Sequence, residues 1–406
     1  MTDITELDRT DPFARTRALF ALSEGVIYLD GNSLGALPVA VKARMADVVA
    51  TQWGEGLIRS WNTHDWIDLP GHVGDRIAKL IGAPAGTVTV ADSTSINLFK
   101  VLATALRLRP DRKVILTEKH NFPTDAYIAA GIAELLGQGH VLREVDAHDI
   151  AAALGPDVAV LMLTETNYRT GAKLDMTALT RAAEAAGALT IWDLCHSAGA
   201  FPVDLTGADA DFAVGCGYKY LNGGPGAPAF VYAAPRHLEG LRQPLTGWLG
   251  HAAPFTFAGQ YRPAEGIAAM RVGTPPILSM SALDAALDVF EGVDLVALRA
   301  KADRLFEIFT NKLAAVAPEL ELLTPTDPAR RGTQASLRHP EAYAVMQALI
   351  ARGVIGDFRE PDILRFGLTP LYLCHAEVER AATIVGETMR DGAWDRPEFK
   401  ARAKVV

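Results

Sequence analysis

The middle of the chain alternates short apolar runs with longer amphipathic stretches, and this pattern restricts the fold more than any other feature. The apolar runs have strand length and indicate buried strands at residues 114–117, 158–163, 189–193, 212–215 and 229–232. Helical patterns lie between several of them, at residues 96–108, 124–136 and 176–186. Repetition of strand, helix and strand predicts a mostly parallel sheet with helices on both faces. Ligands of such sheets bind beyond the carboxyl ends of the strands.

The last third of the chain has a different pattern, which predicts a second and smaller domain. Helical and strand-like segments follow one another at residues 279–290, 295–317, 333–338, 341–351, 363–366 and 376–390. A chain of 406 residues is too long for one compact core. We therefore predict an α/β protein with an N-terminal segment that packs with the small domain, a large domain and a small α+β domain: residues 1–50, 51–277 and 278–406.

Charge, hydropathy and cysteine content disfavour several classes of partner. The net charge is −9 and no basic run reaches five residues, so nucleic acid is not an expected partner. The apolar runs are too short to cross a bilayer, and the first residues lack the pattern of a secretory signal. Cys195, Cys216 and Cys374 form no C-x-x-C pair. We expect a cytoplasmic protein without a membrane partner or a metal site.

Lys219 follows a predicted buried strand and precedes a glycine-rich turn, at residues 223–226. A lysine at the end of a buried strand is costly unless its charge is paired or removed. Formation of an imine with an aldehyde cofactor removes the charge and uses the nucleophilic amine. Taken alone, the residue is more simply explained as an exposed lysine at the start of a loop.

Two further segments favour the cofactor. Asp193 ends an apolar strand and His196 follows it; a carboxylate beside a pyridine nitrogen keeps that nitrogen protonated. Thr94 and Ser95 precede an apolar helix, where N–H groups and the helix dipole favour a phosphate. Each feature alone is equally typical of a helix or turn cap, or of a structural histidine. Together with Lys219 they predict a pyridoxal-phosphate (PLP) enzyme whose cofactor forms a Schiff base with Lys219.

The sequence resembles the aminotransferase class V branch of the fold-type I PLP enzymes, and within that branch it is similar to the kynureninases. The segments Asp-x-x-His at 193–196 and Gly-Tyr-Lys-Tyr-Leu-Asn at 217–222 are shared with cysteine desulfurases. The segments more specific to kynureninases are Gly-Asn-Ser-Leu-Gly at 31–35, Phe-Pro-Thr-Asp at 122–125 and Gly-Thr-Pro-Pro at 273–276. The resemblance extends from residue 29 to residue 370, and it implies a large PLP-binding domain and a smaller C-terminal domain.

The resemblance also implies a role for each matching residue. Lys219, Tyr218 and Asp193 would be catalytic, with Asp193 at the pyridinium nitrogen. The side chains implied to bind the cofactor are Thr94, Ser95, Phe122, Asp125, Thr164, Asp193, His196, Tyr218, Lys219, Trp248 and Thr274. Trp248 and Thr274 would come from the neighbouring subunit, which implies a homodimer. Arg365 would bind the substrate α-carboxylate, and Ser33 and Trp61 would line the substrate pocket.

The activity implied by the resemblance is hydrolytic cleavage of the Cβ–Cγ bond of L-kynurenine, in tryptophan catabolism or NAD biosynthesis. The products would be anthranilate and L-alanine, and 3-hydroxy-L-kynurenine would be a weaker substrate because Gly273, Thr274 and Trp61 match the pattern that prefers kynurenine. The alternative is another class V enzyme. A cysteine desulfurase needs a mobile nucleophilic cysteine in the small domain, and only Cys374 lies there. An aminotransferase is not excluded by Lys219 and Asp193 alone.

Overall fold

The computed structural model describes residues 3–403 and contains three sheets. Its strands are β1 (Ile27–Tyr28), β2 (Val88–Val90), β3 (Val114–Glu118), β4 (Val141–Val145), β5 (Val158–Thr164), β6 (Leu189–Asp193), β7 (Phe212–Gly215), β8 (Phe230–Ala233), β9 (Glu321–Leu322), β10 (Gln334–Arg338), β11 (Val354–Ile355), β12 (Asp357–Arg359) and β13 (Ile363–Gly367).

The α-helices vary from one turn to six turns. They are α1 (Ile4–Arg9), α2 (Val39–Asp47), α3 (Ser60–Thr63), α4 (Leu69–Leu80), α5 (Thr94–Leu108), α6 (Pro123–Leu136), α7 (Ile150–Ala153), α8 (Met176–Ala185), α9 (Pro235–Leu238), α10 (Ile277–Ala286), α11 (Leu295–Val316), α12 (Ala342–Ala351), α13 (His375–Arg390) and α14 (Pro397–Lys400). None of these helices is both long and apolar enough to cross a membrane.

The central sheet has seven strands in the order β2-β8-β7-β6-β5-β3-β4. The run from β7 to β4 is parallel, whereas β8 is antiparallel to both of its neighbours. Every residue of β5, β6 and β7 is buried, because helices cover both faces of the sheet. The carboxyl ends of these three strands therefore open at one edge, where the residues after them can reach a common ligand.

The C-terminal part of the chain forms an antiparallel sheet in the order β12-β13-β10-β9, together with α11, α12 and α13. The N-terminal residues lie against this part: β1 pairs in parallel with β11. The buried ion pair between Lys301 Nζ and Asp11 Oδ2, at 2.7 Å, joins α11 to the same N-terminal stretch. The boundaries after residues 50 and 277 stay a prediction.

The predicted strands and helices are present, with shifts at their ends and some omissions. Helix α5 begins at Thr94 and not at residue 96, because the Ser93 hydroxyl caps it by accepting from the Ile96 amide. The helix expected over residues 279–290 begins two residues earlier, and its α-helical part ends at Ala286, where a 3₁₀ turn continues to Phe290. The apolar pattern did not predict the short strand β2 or the half-exposed edge strand β4.

We predict that Phe309→Ala destabilises the C-terminal part strongly. The Phe309 ring is fully buried on α11, 5.1 Å from the ring of Phe366 on β13, so its removal leaves a cavity. The expected loss in the free energy of unfolding is about 3–5 kcal/mol, measured by urea titration. The control Val296→Ala, at a side chain on the same helix that is 68% exposed, should change it by less than about 0.5 kcal/mol. Equal losses in both variants would contradict the prediction.

Candidate active site

Lys219 lies just beyond the end of β7, at the edge where the parallel strands open. Its Nζ is 3.0 Å from Nε2 of His196, and it lies 5.8 Å from the ring centres of both Phe122 and Tyr218. Burial, and then the charge of Lys219, lower the pKa of His196 well below its usual value, so this imidazole is neutral. Among residues 3–403, Lys219 forms no ion pair with a carboxylate, so its amine remains available for chemistry.

Asp193 ends β6, the strand beside β7, and its carboxylate is buried. Its Oδ1 accepts from the backbone N–H of Cys195 at 2.6 Å. The Cys195 thiol lies 3.7 Å from Oγ1 of Thr94, the first residue of α5. This contact places the N-terminus of α5, with Thr94 and Ser95, beside the end of β6. The three segments that the sequence singled out therefore meet at one place.

A buried hydrogen-bond network centred on Asn121 joins several of the predicted cofactor residues. The Asn121 amide oxygen accepts from Oγ1 of Thr164 at 2.5 Å and from the backbone N–H of Phe122 at 2.7 Å. Its Nδ2 donates to Asp125 at 3.4 Å, and Thr164 also reaches Asp125 at 3.3 Å. Burial, and then the charge of Asp193, raise the pKa of Asp125 well above its usual value. Burial raises the pKa of Asp193 as well, so the two neighbouring carboxyl groups disfavour each other's charge.

Arg365 lies on β13 and is fully buried, although it is charged. Its Nη1 donates to the Tyr168 carbonyl at 2.7 Å, and its Nη2 donates to Ser33 Oγ at 2.9 Å and to the carboxylate of Asp357. The Tyr168 ring meets Phe122 edge-on, with 5.1 Å between the ring centres. Tyr168 thus connects the arginine to the ring beside Lys219. Ser33 and Arg365 are therefore in contact, and their assignment to the substrate pocket stays a prediction.

Three of the predicted site residues lie apart from these contacts: Trp248, Thr274 and Trp61. No hydrogen bond, ion pair or aromatic contact within the described part of the chain joins them to Lys219. Trp248 is 39% exposed and stacks on Phe257, and Thr274 is exposed. Trp61 packs edge-on against Trp66 at 5.9 Å. Their assignment to the site stays a prediction.

The residues at the strand ends fit PLP. Lys219 would hold the aldehyde carbon, the buried Asp193 carboxylate would face the pyridine nitrogen, and the N-terminus of α5 would receive the phosphate. His196 supplies an independent sign that a polar ligand belongs here. Its buried Nδ1 makes no well-formed hydrogen bond among the described residues, although Gln334 lies near enough to affect its pKa, and a polar ligand would satisfy it.

Several residues of this site were absent from the predicted set. Asn121 lies in the Asn-Phe-Pro-Thr-Asp segment, so that motif was the signal that pointed to it. Tyr168 lies in the Asn-Tyr-Arg-Thr-Gly segment at 167–171, which also belongs to the resemblance. Asp357 and Arg359 carried no local signal, because only the pairing of β12 with β13 places them beside Arg365. Asp357 also binds Arg359 at 2.8 Å, so one carboxylate holds two guanidinium groups.

Comparison with known proteins decides the family. A protein named kynureninase from Pseudomonas fluorescens is 52% identical over 411 aligned residues, covering 100% of this chain and 99% of its own. The model of the kynureninase C-terminal domain matches residues 298–385. The chain belongs to the kynureninase family.

Solved structures of other proteins have the same fold as this kynureninase-family chain. A cysteine desulfurase from Thermococcus onnurineus NA1 superimposes with a TM-score of 0.81 at 18% identity, covering 94% of this chain and 98% of its own. A second protein, described as a C-DES variant with glycine covalently linked to its PLP cofactor, gives 0.79 at 18% identity, with 91% and 99% covered. The predicted fold, that of the fold-type I PLP enzymes, is confirmed.

We predict that Lys219 alone captures the cofactor. Borohydride reduction of the PLP-loaded protein should attach PLP permanently to the peptide that contains Lys219, and Lys219→Ala should abolish this attachment. The measurement is peptide mass spectrometry. Lys173→Ala is the matched control, because Lys173 Nζ also lies over an aromatic ring, 5.3 Å from the centre of Phe201. Capture that persists in Lys219→Ala would contradict the assignment.

Proposed function

We propose that the protein is a PLP-dependent kynureninase, which cleaves the Cβ–Cγ bond of L-kynurenine with water and releases anthranilate and L-alanine. The observation that carries the proposal is Lys219 and Asp193 at one edge of the central sheet, with Arg365 of the C-terminal sheet linked to that edge through Tyr168 and Phe122. They belong to a chain that is 52% identical over its whole length to a protein named kynureninase. Tryptophan catabolism or NAD biosynthesis is the corresponding metabolic setting.

The residues around Lys219 divide the work of the reaction. When bound, PLP supplies an electron sink for the charge that develops on the substrate carbon atoms. The Lys219 amine, once free, takes the proton from the α-carbon of the substrate. The His196 imidazole, 3.0 Å away, is neutral and so does not repel the amine. Its contact with the amine keeps the amine within the pocket. Tyr218 stays protonated because burial raises its pKa, so its hydroxyl can donate in the later proton transfers.

The substrate is oriented by residues from the other side of the pocket. Arg365 presents a planar guanidinium that suits a carboxylate, and its buried Nε has no partner among residues 3–403. Ser33 lies against the same guanidinium and would contact the α-carboxylate as well. Fixing the substrate at its carboxylate holds the α-carbon in reach of the Lys219 amine, which supplies the orientation part of the rate enhancement.

The alternative of a cysteine desulfurase is less supported. Cys374, the cysteine in the C-terminal part of the chain, is the N-cap residue of α13, where its thiol is part of a capping box with Glu377. Burial raises the pKa of the Cys374 thiol to about 11, so the thiolate that a nucleophile requires is scarce at neutral pH. An aminotransferase shares Lys219 and Asp193, and the family relationship disfavours it.

A homodimer with a shared active site is part of the proposal. The apolar side chains of Trp53, Pro276 and Leu278 form a surface in which Trp53 is 54% exposed, and single chains rarely leave such a patch to water. Thr274 adjoins this surface, and Trp248 is also exposed, so a second subunit that binds here would contact both side chains.

Trp61, with Gly273 and Thr274, supports a preference for kynurenine over 3-hydroxykynurenine. The three free cysteines suit a cytoplasmic location.

Mixing the PLP-loaded protein with L-kynurenine tests the activity directly. Anthranilate should appear, followed by its fluorescence, and L-alanine should appear in equal amount. Lys219→Ala should release neither, and 3-hydroxykynurenine should react more slowly in the wild type. A PLP-loaded protein that leaves both substrates unchanged would overturn the proposed reaction, and release of sulfur from L-cysteine would then favour the desulfurase.

We predict that Arg365→Lys lowers kcat/KM for L-kynurenine about 100-fold, chiefly through KM, because a lysine cannot form the two-pronged contact of a guanidinium. Steady-state kinetics over a range of kynurenine concentrations measures the effect. The control Arg338→Lys lies on β10 of the same sheet, 45% exposed and paired with Glu321 at 3.0 Å, and it should leave both constants unchanged. An unchanged KM in Arg365→Lys would remove Arg365 from the substrate site.

A further inference from the structure

A cavity of about 370 Å³ lies between the C-terminal halves of α5 and α6, away from the strand ends. Its walls are mostly apolar, and Phe99 and Leu106 of α5 face Ile132 and Leu136 of α6 across it. The volume falls within the range of small-molecule sites, which are lined by apolar side chains with a few polar groups. The cavity therefore has the size and the walls for one aromatic ring with its substituents.

Two arginines line the cavity, and no carboxylate lines it. Arg107 and Arg242 form no ion pair with any residue between 3 and 403, and neither an aspartate nor a glutamate is among the lining residues. The Arg107 Nη2 donates to the backbone carbonyl of Arg242 at 3.0 Å. Burial, and then the charge of Arg242, lower the pKa of Arg107, as expected for two cations close to each other. In a chain with net charge −9, an unpaired cationic pair beside an apolar cavity is complementary to an anion.

His140 adds a polar group to the wall. Its ring lines the cavity and is 8% exposed, and its Nδ1 has no hydrogen-bond partner in the described part of the chain. A buried ring nitrogen without a partner carries a free-energy cost that a ligand donor or acceptor would remove. Burial, and then the charge of Lys113, lower the pKa of His140, so the ring is neutral and offers one donor and one acceptor.

We propose that this cavity is a second ligand site, which binds a small aromatic carboxylate with its ring between α5 and α6 and its carboxylate at Arg107 and Arg242. Under the proposed function, the reaction itself yields a ligand of this class, anthranilate, whose ring amine would meet His140. That last identification rests on the proposed function, whereas the chemistry of the cavity does not.

The site is separate from the one at Lys219. Both walls belong to helices whose other ends lie at the active site, because α5 begins at Thr94 and α6 begins next to Phe122. Leu106 is twelve residues from Thr94, which corresponds to about 18 Å along a helix. A ligand in the cavity thus touches neither Lys219 nor Asp193, although it packs against the two helices that present Thr94, Phe122 and their neighbours.

Binding of 4-fluorobenzoate to the PLP-loaded protein, followed by ¹⁹F NMR, tests the site without turnover. Arg242→Gln should weaken binding at least 10-fold, because the ligand carboxylate loses half of its cationic partner. Leu135→Glu should weaken binding of 4-fluorobenzoate more than Arg242→Gln does, because it places a negative charge at a lining side chain that is 72% exposed. The matched controls are Arg304→Gln and Val296→Glu, both on exposed positions of α11. Benzylamine, of similar shape and opposite charge, should not bind.

Each outcome of the titration decides the proposal. Weakening in both cavity variants, with unchanged controls, supports the site. Binding that is equal in all variants places the ligand elsewhere and overturns it, as does the absence of binding. Release of anthranilate from kynurenine is measured separately. Normal release of anthranilate without binding of 4-fluorobenzoate in the cavity overturns only the second site. Binding in the cavity without cleavage of kynurenine overturns only the proposed reaction.

Discussion

The structure depends on the placement of a lysine and an aspartate at the ends of two adjacent, fully buried parallel strands. Asp193 lies opposite Val214 in the pairing of β6 with β7, and Lys219 follows five residues after that position. Burial of the Asp193 carboxylate is costly unless a ligand uses its charge, and Lys219 has no carboxylate partner among residues 3–403. In a parallel sheet with helices on both faces, the carboxyl ends of the strands open at one edge. A single cofactor at that edge can therefore contact both side chains.

The remaining half of the site comes from distant parts of the chain. Arg365 belongs to an antiparallel sheet near the C-terminus, and Ser33 lies in the N-terminal stretch that pairs with β11. The backbone N–H of Gly367, at the end of β13, donates to the carbonyl of Leu29, which fixes this stretch beside the arginine. The proposed substrate pocket is therefore complete only when the stretch around Ser33 packs against the sheet that carries Arg365.

The sequence predicted the parts of the site that are local in the chain. Strands β5 to β7, the lysine and the aspartate carry their own apolar runs and neighbours, so pattern alone located them. The partnership of Arg365 with Asp357 was not predictable, because these residues face each other only through the register of β12 and β13. Strand β2 is too short to show a pattern, and the half-exposed β4 has no apolar run. Trp248, Thr274 and Trp61 entered only through the family resemblance.

The pairing of Arg365 with Asp357 has a thermodynamic consequence. The Nη2 of Arg365 is already paired with the Asp357 carboxylate, which Arg359 shares. A substrate carboxylate that binds Arg365, as proposed, would compete with Asp357 for this group, and its binding free energy would be the difference between two similar interactions. Such an exchange gives modest affinity with strong discrimination, since a molecule without a carboxylate offers nothing that could replace Asp357.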